Sequence, residues 1–152
     1  MPLSVSDRPK IPYPRPLPIR LGLLVIAALA LLLPAGAQAA QAKRVVKESE
    51  NTTLEEMILT TNKGKTLYSL SVEKHGKFIC THSCPNTWKP LVVPAGVKPK
   101  GPVKLGTVKR PEGKIQVTFK GLPLYTFDGD SAKGQAKGEG FKDVGTWHAV
   151  TP

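Results

Sequence analysis

The sequence predicts a mainly β fold: a small exported domain of two related β halves joined by long irregular loops. Three observations predict it. The stretch Gly121-Leu122-Pro123-Leu124-Tyr125-Thr126-Phe127-Asp128-Gly129-Asp130 has an upstream counterpart, Gly64-Lys65-Thr66-Leu67-Tyr68-Ser69-Leu70-Ser71-Val72-Glu73. Each is followed by a tryptophan, in Trp88-Lys89-Pro90-Leu91 and in Trp147-His148-Ala149-Val150. Past the N-terminal segment the apolar residues follow short alternating runs, with no long helical period.

Residues 1–39 read as a signal peptide. A cationic stretch with Arg8, Lys10, Arg15 and Arg20 precedes the apolar run Leu21–Leu33, and Ala37-Gln38-Ala39 fits the small-x-small cleavage pattern. The competing reading is an uncleaved anchor, but a spanning helix needs roughly 20 apolar residues, so the expectation is cleavage and no stable membrane span afterwards. Residues 40–53 are polar and aperiodic and are expected as a flexible lead-in; the β-rich domain is expected over residues 54–152.

Along that domain, Leu54–Thr61 predicts a strand, with a short helix behind Thr53 as the alternative. Asn62-Lys63-Gly64-Lys65 is a turn by composition. Thr66–Val72 alternates, Leu67 and Ser69 on one face and Tyr68 and Leu70 on the other. After the Lys74–Lys77 turn, Phe78-Ile79-Cys80 is expected to pair back, and Ser83 to cap a helical turn with Pro85 in its first positions. Pro90, Pro94, Pro99 and Pro102 make an irregular crossing. Val103–Val108 and Ile115–Phe119 flank Pro111 and Gly113 as a hairpin, with Ile115, Val117 and Phe119 on one face. Leu122–Phe127 repeats the earlier strand, Asp128–Gly145 is a glycine-rich loop, and Thr146–Val150 closes the domain.

The chain has 22 Lys+Arg against 11 Asp+Glu, and only four of those cations and Asp7 precede Ala40, so the exported part remains basic. Such a surface suits an anionic envelope component or another exported protein. Its lysines are spread along the sequence, which is also what a solvated surface looks like, and no aromatic-basic interleaving points to nucleic acid.

Cys80 and Cys84 form an isolated pair in an exported chain, most simply a disulfide. Cys80-Thr81-His82-Ser83-Cys84 also offers two thiols and an imidazole, a set suited to copper(I) or to thiol redox chemistry. Copper is thus the alternative to a protein without cofactor.

The motif Tyr125-Thr126-Phe127-Asp128-Gly129-Asp130 resembles the Y-x-[FWY]-x-x-D signature of bacterial secreted proteins and predicted lipoproteins of unknown function. Gly64–Tyr68, the Cys80–Cys84 segment leading into Trp88, and the glycine-rich loop ending at Trp147 are similar to the same family, over nearly all of residues 60–150. Three departures stand out. Leu70 and Glu73 replace an aromatic and an Asp in the first half, His82 replaces a glycine, and a lipid-attachment cysteine is missing. The resemblance implies export, periplasmic or extracellular, and no particular activity.

Tyr68, Trp88, Tyr125, Phe127, Asp130 and Trp147 are the candidate ligand-binding residues, as an aromatic groove; the alternative is that they pack the core, with Asp130 bonded to the following turn. Asp128, Asp130 and Glu139 fall at calcium-loop spacing, but Ala132 and Lys133 occupy positions that such a loop needs for a ligand and a glycine. No nucleophile elbow or HExxH pattern occurs, so no catalytic residues are expected. The expected function is a non-enzymatic binding or interaction module of the cell envelope, with periplasmic copper binding or thiol redox as the alternative.

Overall fold

A computed structural model describes residues 40–152 together with Pro12 and Arg15. Apart from those two positions, the signal peptide expected over residues 1–39 lies outside the described residues. Among the described residues no helix is long and apolar enough to cross a membrane.

The segment expected as a flexible lead-in is structured. It forms β1 (Ala42–Arg44) and β2 (Val46–Asn51). Two adjacent valines, Val45 and Val46, are buried, and they anchor a stretch whose average polarity hides them. Strand β2 pairs antiparallel with β3 (Glu56–Thr61), from Val46 opposite Thr61 to Asn51 opposite Glu56. Asn51 makes the turn between them, its side-chain oxygen accepting from the N–H groups of Thr53 and Leu54 at 3.0 and 2.9 Å.

Beyond the turn at Gly64 comes β4 (Tyr68–Leu70). Phe78-Ile79-Cys80 does not pair back as a strand; the N–H groups of Ile79 and Cys80 donate instead to the Glu73 side chain, both at 2.7 Å. Helix α1 (Cys84–Thr87) has Pro85 in its first turn, and Ser83 holds the N-cap position without a side-chain cap bond. The proline-rich crossing carries β5 (Trp88–Pro90), β6 (Val92–Val93) and β7 (Lys98–Lys100), and β7 lies parallel to β1. Strands β8 (Leu105–Lys109) and β9 (Ile115–Phe119) form the expected hairpin. The repeated strand is interrupted at Leu124, giving β10 (Leu122–Pro123) and β11 (Tyr125–Phe127). After the long loop, β12 (Trp147–Ala149) ends the fold.

The central sheet runs β12-β4-β11-β5, with Tyr68 opposite Tyr125 at its middle. The flanking strands share one register: Trp147 faces Leu70 and Ala149 faces Tyr68 on one side, Trp88 faces Phe127 and Pro90 faces Tyr125 on the other. Each tyrosine strand therefore pairs with the tryptophan strand from the other half of the chain. The bonds around Leu67 and Leu124 correspond in the same way. Leu67 donates to Leu59 and accepts from Val150; Leu124 donates to Val117 and accepts from Leu91. Gly64 and Gly121, three residues before each leucine, both have φ +80°, a conformation that costs a side-chain-bearing residue.

Two apolar clusters lie on opposite faces of this sheet, as alternation along a strand requires. Leu67 and Leu124 join Val46, Leu59, Val117 and Phe119 in one; Tyr68, Leu70, Trp88, Tyr125 and Trp147 form the other, with Cys80.

Candidate functional site

The aromatic residues meet as expected, but in a closed core and not in an open groove. The Trp88 and Trp147 rings stack with centroids 3.8 Å apart and planes 6° from parallel. Phe127 stacks on Trp88 at 4.4 Å, and Tyr68 and Tyr125 meet the indoles edge-on at 5.4 and 5.1 Å. Tyr68, Trp88, Tyr125 and Trp147 are fully buried; Phe127 is partly exposed. Cross-strand pairing dictates this, because residues directly opposite in a sheet share a face.

Both tyrosine hydroxyls are satisfied by acidic side chains. Tyr68 donates to Asp130 and Tyr125 to Glu73, each at 2.7 Å. Glu73, a departure from the motif's Asp, is thus the partner of the second tyrosine. The second oxygens match as well: Glu73 accepts from the Cys80 N–H at 2.7 Å and Asp130 from the Lys137 N–H at 3.0 Å, seven residues on in each case. Burial, and then the hydrogen bond to the acid, pushes both phenols well above their ordinary range.

Arg110 completes the buried network and escapes a motif search. It donates to Gln116 at 2.6 Å, to the Tyr125 hydroxyl at 3.1 Å and to the Cys80 carbonyl at 2.7 Å, and pairs with Glu112 at its outer end. The sequence signal was weak: an arginine beside Pro111 reads as a solvated turn. The network fixes the backbone at Cys80 from two sides, and the Cys80–Cys84 disulfide (S–S 1.97 Å) closes the loop. Bonded to each other, the sulfurs have no thiolate to offer copper. Among the described residues no group of three His, Cys, Asp or Glu side chains converges as metal ligands. His82 is exposed, its Nδ1 2.9 Å from the Thr81 hydroxyl; its φ of +55° accounts for a glycine at this position in the motif. The calcium-like trio is divided: Asp128 pairs with Lys89, Asp130 with Tyr68, and Glu139 with His148.

A surface cleft of about 760 Å³ opens over the edge of this core. Its floor includes Trp88, one wall is the disulfide loop from Ile79 to Cys84, and the other is the glycine-rich loop at Phe141, Asp143 and Val144. The second wall is held in place by the Trp147 indole N–H, which donates to Asp143 at 3.1 Å. Phe141 and Val144 remain 43% and 60% exposed.

Residues 106–151 match a family described as a secreted repeat of unknown function. The secreted-repeat match begins within β8 and runs past β12, so it takes in Tyr125, Phe127, Asp130, Phe141 and Trp147. Tyr68, the disulfide and Trp88 lie before it. A secreted family agrees with an exported protein. No curated protein and no solved structure matches the chain.

Proposed function

We propose that this is a non-enzymatic binding module of the bacterial cell envelope, periplasmic or extracellular, released after cleavage near Ala39. In this reading its domain consists of two related halves that exchange tryptophan strands, and it takes another exported protein in the cleft above Trp88. The observation that carries the proposal is the pair Phe141 and Val144, two apolar side chains held out on a rim by the Trp147–Asp143 hydrogen bond. Exposed apolar side chains beside a concavity are what partner sites present. The buried polar groups argue against catalysis, since Glu73 and Asp130 commit their bonds to tyrosines and backbone, and Arg110 to Gln116, Glu112, Tyr125 and the Cys80 carbonyl.

Tryptophan fluorescence tests this. Titration with fractionated exported proteins is expected to give a saturable change that purifies with one component and is lost in Phe141→Ala, with far-ultraviolet circular dichroism and the urea midpoint checking that the variant is folded, since Phe141 also meets the Trp88 and Phe127 rings at 5.8 and 5.9 Å. Binding unchanged in the Phe141→Ala, Val144→Ser double variant would remove the cleft from consideration.

A further inference from the structure

Lysines dispersed along the sequence converge in space. A second cleft, of about 470 Å³, is lined by Lys43 from β1, Lys63 and Lys65 from the turn before β4, and Lys89 from β5. It lies apart from the Trp88 cleft, because Lys89 and Trp88 are consecutive on one strand and point to opposite faces. We propose that this cleft binds a linear polyphosphate-type polyanion that carries no nucleobases, an occupant independent of the protein partner proposed above.

Four features support it. The cations come from three separate elements and surround a concavity, so a ligand inside meets charge from several sides. All four are lysines, point charges without the planar fork that matches a carboxylate, so the cleft reads charge density more than carboxylate geometry. Thr61, Asn62 and Thr126 add hydroxyl and amide groups to the lining. None of the lining residues is aromatic, which leaves no platform for stacking a nucleobase.

The nearby acids are accounted for. Asp128 pairs with Lys89 at the surface, and Asp130 is buried on Tyr68 while its backbone carbonyl accepts from Lys65 at 2.8 Å. Lys89 is thus the cation already engaged by an acid, and Asp128 competes with a ligand for it.

Calorimetry with inorganic polyphosphate as the probe tests the site. Affinity is expected to fall steeply with ionic strength and to drop roughly ten-fold in Lys43→Ala, Lys63→Ala, two exposed charges being removed together. A second variant, Lys104→Ala, Lys109→Ala, removes equal charge outside the cleft and should bind within about two-fold of the parent. Asp128→Ala, which releases Lys89, should bind more tightly. Equal weakening in the two double variants would show attraction to net charge and overturn the site. So would tighter binding to phosphatidylglycerol vesicles or to single-stranded DNA with the same lysine dependence.

Discussion

Tyr125 donates its hydroxyl hydrogen to Glu73 across 2.7 Å, and this bond reproduces, on the partner strand of the same sheet face, the one from Tyr68 to Asp130. An Asp in one half and a Glu in the other serve the same purpose, because the turn after each strand delivers a side-chain oxygen to the phenol of the other half. The backbone agrees: the Glu73 N–H donates to the Leu70 carbonyl and the Asp130 N–H to that of Phe127.

The phenols set an alkaline limit. Tyr68 and Tyr125 are raised above the ordinary value of 10.0, chiefly by burial. A folded-state value above the unfolded one means that the native state holds its protons longer. The associated stability is therefore complete below about pH 10 and declines as pH rises above it. Ultraviolet titration should show both phenols un-ionised at about pH 11, ionising only as the far-ultraviolet circular dichroism signal is lost.

Removing one hydroxyl leaves one oxygen of its acid without a donor. Tyr125→Phe should lower unfolding free energy by about 1–3 kcal/mol, the cost of a buried acceptor left without its donor. Tyr68→Phe should act similarly. Urea midpoints at unchanged slope would record the loss, and a shift near zero in both would show that the bonds are incidental.

Gly138 leaves room for the aromatic core. A Cβ at this position would approach Trp88 at 2.7 Å and Tyr68 at 3.0 Å. Gly138→Ala is expected to cost about 1–3 kcal/mol through overpacking and to alter the near-ultraviolet circular dichroism of the indole pair.

The native protein should contain no titratable thiol before reduction, with two appearing afterwards. Replacing both cysteines with serine should cost about 2 kcal/mol, the loop-entropy value for so short a ring. Stoichiometric copper(I) binding by the unreduced protein would contradict the disulfide assignment.

Ending the chain before Thr146 would remove Trp147 and Val150, both buried, and leave β4 without one of its two partner strands. Such a truncation should be unfolded by circular dichroism, although it retains the hairpins and the disulfide.

Much of the fold was legible because alternation and turn chemistry are local. Leu67 and Tyr68 fall on the faces that period-two reading assigns them, and Pro111 with Gly113 marked the β8–β9 turn correctly. The lead-in was missed because two valines, Val45 and Val46, supply most of its burial, and two residues carry no period. The Phe78–Cys80 strand was misread because its N–H groups are satisfied by the Glu73 side chain, a long-range partner. The aromatic residues named as a groove lie together in the core, and which face is sealed depends on the pairing of β4 with β12 and of β11 with β5. Lys43, Lys63 and Lys89 looked dispersed for the same reason.

That exchange of tryptophan strands bears on how the protein is made. A chain synthesised amino-end first cannot finish its central sheet until the final strand emerges, since Tyr68 waits for Ala149 and Leu70 for Trp147. Closure of that sheet is therefore a late event, completed only once the carboxyl end is released.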